Sequence, residues 1–215
     1  MLKLEDFDNK FKGQDIYVIG SGKSLDFIDN SFFENKITIG INQVYKKIKC
    51  TYLVRKDHRL TPLSIEKNPD TVHFLSQGNC GGSVKTKFNK NLANMVIFPH
   101  LQNDHISVKI PKEGLVVSWS TITTGIHLAA YMGAKNIILV GHDCGKIDGQ
   151  SNVKNYHTDA TRDQKNARSY EDWLTKIENQ TIQLKNKLKE KYNCNIYSLN
   201  PFINFGLEGH KFSRR

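Results

Sequence analysis

A short apolar strand that ends in three polar residues constrains this chain more than any other feature. Residues 136–143 read NIILVGHD, so a run of aliphatic residues leads directly into a Gly-His-Asp triplet. The preceding residues 120–135, STITTGIHLAAYMGAK, predict a hydroxyl-rich turn and then a helix of small residues over about 123–132. Gly133 is a helix-stop signal. Ligands of open α/β sheets bind outside the carboxyl ends of strands, so the triplet lies where a ligand is expected.

Further apolar runs predict the rest of a sheet. The strands that we expect, besides the one above, cover residues 16–20, 37–41, 51–54, 72–75, 95–98 and 195–199. A long helix is predicted over residues 170–192, with Trp173, Ile177, Leu184 and Leu188 on one face and lysines over much of the rest. Strands that alternate with helices indicate an α/β fold, a doubly wound and mostly parallel Rossmann-like sheet. No linker or repeat divides residues 1–215, so a single domain is expected.

Three segments lack apolar periodicity. Residues 76–91 are rich in Gly, Asn and Lys and predict an exposed loop, and residues 100–116 predict irregular structure. Residues 144–168 form a long polar stretch, which is typical of a lid over a functional site. The C-terminal tail, which ends in HKFSRR, is basic.

The composition favours anionic partners and excludes several classes of protein. The formal net charge is +10 at pH 7, which favours nucleotides, nucleic acid, phosphosugars or an acidic membrane face. The N-terminus lacks the apolar segment of a signal peptide, and no apolar run is long enough to span a membrane. The four cysteines show no metal-ligand spacing, so we expect packed, reduced thiols in a cytoplasmic protein and no metal site.

The turn after the first predicted strand has the composition of an anion site. Its residues are Gly20, Ser21, Gly22, Lys23 and Ser24. A true P-loop would need another glycine where Tyr17 stands, and the dinucleotide fingerprint would need one where Leu25 stands. A glycine-rich turn nevertheless presents backbone N–H groups to an anion. The alternative is that Ser24 caps a helix and the glycines only make a tight turn.

Other polar residues are predicted to lie at the same edge of the sheet. Asn42 either closes the second strand or presents its amide to a base or ribose. Asp57 is either a solvated charge beside Arg55 or a ligand for a ribose hydroxyl or for Mg²⁺. Thr123 and Thr124, followed by Gly125, offer more hydroxyls than one helix cap requires, which indicates a second anion site.

Two histidines are candidates for a catalytic base. His142 and Asp143 follow the buried strand directly, where they are either turn residues or part of the site. His157, with Asp159 two residues on, lies in the predicted lid. Cys80 has no identifiable base partner, so nucleophilic catalysis by this cysteine is not expected.

Four motifs in this order resemble a known superfamily. The segments GSGKSL, GINQVY, TTGIHLAAYMGAKNIILVGHD and IYSLNP are similar to the core of bacterial sialyltransferases that use CMP-activated sugars. The same series resembles the motility-associated flagellin glycosyltransferases and the archaeal hydroxymethylpterin diphosphokinase, which share a related Rossmann-like domain. The resemblance spans most of the chain.

The resemblance implies a set of nucleotide contacts. It implies them at Ser21 and Gly22 in the first turn, at Asn42 and, through the Thr-Gly pair, at Thr124 and Gly125. Asp143 matches the Asp of the family's Gly-x-Asp turn.

The chain also departs from the family pattern. Lys23 stands where the family has proline, and Gly145 stands near the position of a phosphate-binding tyrosine. No histidine lies as far beyond the turn as the family's catalytic histidine, but His157, beside Tyr156, is a candidate substitute within the lid.

The leading hypothesis is therefore a glycosyltransferase that uses a CMP-nonulosonate donor and a glycan or protein acceptor. His157, or failing that His142, would deprotonate the acceptor, and Lys23 or a lid arginine such as Arg162 would balance the phosphate charge. No cofactor is required for this reaction. Homo-oligomerisation, and contact of the basic tail with the inner face of the membrane, are further expectations.

Two alternatives belong to other classes of protein. Pyrophosphoryl transfer from ATP to a hydroxymethyl substrate would need Mg²⁺ at a carboxylate cluster built from Asp57 and Asp143. A basic module that binds nucleic acid or a surface would show steeply salt-dependent binding. The lysines are not interleaved with aromatic residues, so no specific nucleic-acid partner is expected.

Overall fold

One parallel sheet forms the centre of the molecule. The computed structural model describes residues 2–56, 61–77, 93–102, 108, 113–154 and 167–199. Within these ranges the large sheet has seven strands, all of them paired in parallel. They are β1 (Asp15–Ile19), β2 (Ile37–Ile41), β3 (Tyr52–Arg55), β4 (Val72–Ser76), β5 (Met95–Phe98), β8 (Asn136–Val140) and β9 (Asn195–Ser198). Each was predicted from an apolar run, and the predicted α/β sheet is confirmed.

The order of the strands creates a point at which the chain reverses its direction across the sheet. The spatial order is β5-β4-β3-β2-β1-β8-β9. From β1 the chain moves outward through β2 to β5, and from β8 it moves the other way to β9. β1 and β8 are therefore the neighbours at which the direction changes. Loops after such neighbouring strands diverge and leave a crevice, which is the usual ligand position in this class of sheet.

Two helices cover one face of the sheet. They are α2 (Ile122–Tyr131), which packs against β1, β2 and β8, and α3 (Ala167–Tyr192), which packs against α2 and β9. Another helix, α1 (Thr61–Lys67), is short and connects β3 to β4. Gly125 lets α2 approach the sheet closely, because a Cβ there would lie 2.7 Å from Ile41 Cδ1. The side chains of Ile177, Leu184 and Leu188 are buried as predicted, which agrees with a helical face turned toward the core.

The opposite face is covered by short turns of 3-10 helix. The three turns that follow β1 and β2 are Lys23–Phe27, Asn30–Phe33 and Val44–Lys46. Leu25 and Val44 contribute fully buried side chains to this second core layer. The sequence predicted one short helix after β1, whereas the structure has tighter 3-10 turns there.

Two of the segments that lack apolar periodicity contain more structure than predicted. Residues 100–116 were expected to be irregular, but strands β6 (His100–Gln102) and β7 (Leu115–Val117) pair in parallel as a second small sheet. The lid over residues 144–168 stays a prediction; within that range, residues 144–154 contain the buried Cys144 and Val153, and α3 already begins at Ala167. The rest of the predicted lid, the loop beyond residue 77 and the C-terminal tail lie outside the described residues.

The cysteines within the described ranges are packed thiols. Cys50, Cys144 and Cys194 are all buried, and none of them forms a disulfide within the described residues. Burial raises the pKa of Cys50 to about 12 and that of Cys194 to about 11, so both stay protonated at neutral pH. Among the described helices, none is long and apolar enough to cross a bilayer.

Strand β7 is clamped to α2 by two side chains. The Val116 N–H donates to Nδ1 of His127 at 3.1 Å, and the Val116 C=O accepts from the Thr124 hydroxyl at 2.8 Å. Because Nδ1 accepts a hydrogen bond, the imidazole is neutral and carries its proton on Nε2, which lies 3.4 Å from the Tyr192 hydroxyl. Burial, and to a smaller extent the charge of Lys191, lowers the pKa of His127 to about 3. The clamp fixes the short segment between β7 and α2.

Acid should destabilise this fold through its buried histidines. Burial is the main cause that lowers the pKa values of His73, His127 and His142 to about 4, 3 and 4. The unfolded chain takes up these protons at about pH 6.5, so the stabilisation is complete above that pH and is lost as the pH falls toward 4. Each histidine contributes a slope of up to about 1.4 kcal/mol per pH unit.

The variant His127→Gln isolates one of these contributions. We expect urea unfolding from pH 7 to pH 4.5 to show a slope of free energy against pH that is smaller by about 1.4 kcal/mol per unit than in the wild type. An unchanged slope would mean that His127 is protonated in the folded chain.

Candidate functional site at the β1–β8 crossing

Two glycine turns lock together where β1 and β8 end. The Gly20 N–H donates to the Val140 C=O at 2.8 Å, and the Gly22 N–H donates to the Gly141 C=O at 2.7 Å. A Cβ on Gly20 would lie 2.5 Å from the Gly141 oxygen, and Gly141 itself has a φ of +60°. No other residue type fits this approach without a shift of the backbone. The predicted glycine-rich turn is therefore part of a pair of crossed turns.

The Asp143 carboxylate, and not a ligand, accepts hydrogen bonds from the turn that was predicted to bind an anion. Its carboxylate is buried and accepts from the Ser24 N–H at 2.8 Å and from the Ser24 hydroxyl at 2.5 Å. A Cβ on Gly22 would lie 2.5 Å from the carboxylate carbon, so glycine is also needed there. The N–H groups of Gly22 and Ser24 are thus already occupied by acceptors of the protein itself. The interpretation of Ser24 as a helix cap is wrong, since Gly22 holds that position and Ser24 bonds to Asp143.

The outer side of the first turn is fastened by a residue that the sequence did not single out. The Ser21 hydroxyl donates to Asn152 Oδ1 at 2.9 Å, and the Val153 N–H donates to the Ser21 C=O at 2.9 Å. The Lys23 ammonium pairs with Asp26 at 3.0 Å. Asn152 was missed because it lies within a polar stretch and 131 residues away from its partner.

The hydroxyls at the start of α2 serve the interior of the protein. Thr123 and Thr124 are fully buried. The Thr123 hydroxyl donates to the Ser120 C=O at 2.8 Å, and the Thr124 hydroxyl belongs to the clamp on Val116. Gly125 faces the side chains of Val18 and Ile41. The prediction of a second anion site on these side chains is therefore not supported by their orientation. Ser120, just before α2, is only half-buried.

Asn42 is placed as a ligand-binding residue would be. It follows β2 with a φ of +55°, its N–H donates to the Val54 C=O at 3.1 Å, and its C=O accepts from the Arg55 guanidinium at 2.7 Å. These bonds fix the backbone, whereas the half-buried side-chain amide makes no hydrogen bond within the described residues. Arg55 is buried with its guanidinium 5.2 Å from the Tyr45 ring centre, so it is a structural residue rather than a solvated charge.

His142 lies behind the edge, not on it. Its side chain is buried, and Nε2 lies 2.8 Å from the Thr181 hydroxyl on α3. Burial lowers its pKa to about 4. The hypothesis that His142 removes a proton from an acceptor is not supported, because the imidazole is enclosed between β8 and α3. The other predicted site residues, Asp57, Tyr156, His157 and Arg162, lie outside the described residues.

An exposed tryptophan just before α2 was not predicted. Trp119 lies between β7 and α2, next to Ser120, and 45% of its surface is exposed. The backbone N–H of Trp119 donates to Gln180 Oε1 at 3.3 Å, and the Lys176 ammonium lies 5.0 Å from the centre of the indole ring. An aromatic face held in this way offers a stacking surface for a base or a sugar ring. The apolar run Leu115–Val117 before Ser118 was the signal in the sequence that a strand ends here.

Metal ligation has little support in the described part of the chain. No group of three or more His, Cys, Asp or Glu side chains converges there. Both contacts of the Asp143 carboxylate given above are with Ser24, and the proposed partner Asp57 is not described. The magnesium site of the pyrophosphokinase hypothesis stays a prediction.

Replacement of Asp143 should loosen both crossed turns. In Asp143→Ala, the buried Ser24 N–H and hydroxyl lose their acceptor, and we expect the free energy of unfolding to fall by about 2–3 kcal/mol. A double-mutant cycle with Ser24→Ala should give a coupling energy of at least about 1 kcal/mol. Chemical denaturation gives the free energy of unfolding of the wild type, of each single variant and of the double variant.

Lys23→Gln is the matched control for this cycle, because Lys23 is in the same turn but contacts Asp26. Its coupling to Asp143 should stay below about 0.5 kcal/mol. Equal coupling in the two cycles would contradict a specific contact between Asp143 and Ser24.

Comparison with solved structures identifies the fold. No model of a known protein family and no curated protein matches this sequence. The sialyltransferase CstII from Campylobacter jejuni, in complex with CMP-3FNeuAc, is 16% identical with a TM-score of 0.53, over 93% of this chain and 88% of that chain. The monofunctional alpha-2,3-sialyltransferase Cst-I from Campylobacter jejuni is 15% identical with a TM-score of 0.52, over 87% of this chain and 76% of that chain. The chain therefore shares the fold of these sialyltransferases.

Proposed function

We propose that this protein is a glycosyltransferase that transfers a nonulosonic acid from a CMP-activated donor to a glycan or protein acceptor. One observation carries the proposal: the crossed glycine turns lie at the point where the strand order reverses, which is where this class of sheet binds ligands. The likeness to CstII, whose structure contains CMP-3FNeuAc, supports the choice of nucleotide and sugar.

The nucleotide would lie across the ends of β1 and β2. Ser21 and Asn42 are half-buried at neighbouring strand ends, and the Asn42 amide is available for a base or a ribose. Gly20 and Gly22 let the first turn pack directly against Gly141 and Asp143 beneath this site. The contact between Asp143 and Ser24 would stabilise the turns beneath the nucleotide, and neither residue would contact the nucleotide directly.

Transfer of the sugar would need a general base and a positively charged side chain next to the bound donor. The acceptor oxygen bonds to the anomeric carbon of the donor, the bond from that carbon to the phosphate oxygen breaks, and CMP leaves with the electron pair. We assign the acceptor proton to His157, because His142 is enclosed and bonded to Thr181. Arg162 and Lys23 would offset the charge of the leaving phosphate, and Tyr156 would contact the substrate.

Several features remain part of the proposal. No cofactor is needed for the transfer step. Homo-oligomerisation and attachment of the basic tail to a membrane surface also remain predictions.

Removal of the Asn42 amide tests the proposed nucleotide site. The variant Asn42→Gly loses the amide and keeps the positive φ at no steric cost. We expect CMP binding, measured by isothermal titration calorimetry, to weaken about three- to tenfold, which is the effect of one hydrogen bond. The melting temperature without ligand should change little.

Asn35→Gly supplies the matched control. Asn35 has a φ of +58° and precedes β2, at the opposite edge of the sheet, so its replacement should leave CMP binding unchanged. The same titration with ATP, with and without Mg²⁺, separates the proposed function from pyrophosphoryl transfer. Failure of the wild-type protein to bind CMP or to hydrolyse any CMP-sugar, together with Mg²⁺-dependent ATP binding, would overturn the proposal.

A further inference from the structure

A lysine-lined cleft lies beside the first turn, on its outer side. Its volume is about 420 Å³, and its walls come from the 3-10 turns after β1 and β2 and from the residues that end at Lys154. Lys46, Lys47 and Lys154 line it, and Asp26 is its acidic residue. The cleft lies beside the proposed nucleotide site, and none of its lining residues has been assigned a step of the proposed reaction.

The single carboxylate of the cleft is saturated by the protein itself. Asp26 accepts hydrogen bonds from the ammonium groups of Lys23 and Lys47 and from the Lys154 N–H, the last at 3.3 Å. Partial burial opposes ionisation of Asp26, but the hydrogen bonds from Lys47 and Lys23 outweigh it and lower the pKa of this carboxyl group. Asp26 therefore stays ionised and compensates at most part of the positive charge around it.

Two of the lysines have no charge partner among the described residues. Within the described residues, the ammonium groups of Lys46 and Lys154 have no carboxylate partner. Both side chains line the cleft together with Asp26. The Gln43 side chain also lines the cleft and makes no hydrogen bond within the described residues. Ammonium groups together with an amide donor are suited to bind a doubly charged oxyanion.

The geometry points to an anion-binding site in this lysine-lined cleft, which binds a phosphate monoester. A phosphate monoester carries a charge between about −1.5 and −2 at pH 7, which matches the two uncompensated lysines. A volume of about 420 Å³ is within the usual range for small-molecule sites and admits the molecule that bears the phosphate. The group belongs either to a soluble phosphosugar or to a lipid headgroup, since both present the same oxyanion.

The cleft shares a wall with the proposed nucleotide site. Asn152 and Val153 bond to Ser21 in the first turn, and the next residue, Lys154, faces the cleft. An anion in the cleft would therefore hold the segment that fastens Ser21. The inference does not depend on the proposed function, because the cleft binds its anion whether or not the first turn binds CMP.

Charge removal within the cleft tests the inference. The double variant Lys46→Gln/Lys154→Gln changes two exposed side chains, so the fold should be kept. We expect its affinity for glucose 6-phosphate, titrated calorimetrically at low ionic strength, to fall about tenfold relative to the wild type, roughly threefold for each lysine. Glucose itself should not bind.

Lys49→Gln/Lys67→Gln is the matched control. It removes the same charge from exposed lysines that precede β3 and β4, at the opposite edge of the sheet, and should keep the wild-type affinity. The glucose 6-phosphate titration is repeated with Asn42→Gly, which weakens only the proposed nucleotide site, and the affinity should not change. Flotation with phosphatidylcholine vesicles that contain phosphatidic acid supplies the lipid arm.

The outcomes separate clearly. Binding of glucose 6-phosphate that is sensitive to Lys46 and Lys154 assigns the site to a soluble phosphate ester, and equally sensitive binding to the vesicles alone assigns it to a headgroup. Equal loss in the two double variants would indicate attraction by net charge only and would overturn the inference. Absence of binding by the wild type in both arms would overturn it as well.

Discussion

The contact between the Asp143 carboxylate and Ser24 holds together the two turns on which the proposed site depends. Hydrogen bonds to a charged group are worth roughly 1.5–3 kcal/mol, more than those between neutral groups. Here both bonds join residues that are 119 positions apart, so they tie the end of β8 to the turn after β1. Since β1 and β8 are the strands where the sheet order reverses, this contact fixes the shape of the crevice between them.

Several other features follow from that contact. Glycine is required at Gly20, Gly22 and Gly141 because the turns approach each other so closely. The backbone N–H groups of Gly22 and Ser24 already donate to Gly141 and Asp143. A bound nucleotide would therefore depend on Ser21 and Asn42 instead. The turn is fastened on its other side by Asn152, which places the lysine-lined cleft against it. The proposed nucleotide site and the cleft thus share one turn.

Sequence patterns predicted the sheet well because most of its strands are compact, largely buried apolar runs. They did not predict β6, where His100 and Gln102 interrupt the pattern within a strand of three residues. The roles of Asp143, Thr123 and Thr124 depend on which partner each polar side chain finds in space, and residue type and local spacing do not contain that information. The same limit explains why Asn152 and Trp119 were missed. The position of Asn42 directly after β2 could be predicted, because an asparagine that follows a buried strand suits a positive φ; its contact with a nucleotide stays a prediction.

A crystal structure of the protein with CMP would test the central claim most directly, because it locates the nucleotide. We expect the cytidine and its phosphate to lie outside the carboxyl ends of β1, β2 and β8. The Asn42 amide should be within hydrogen-bonding distance of the ligand, and Asp143 should still be bonded to Ser24. CMP bound elsewhere, for example in the lysine-lined cleft alone, or a displaced Asp143 that contacts the ligand, would contradict the account.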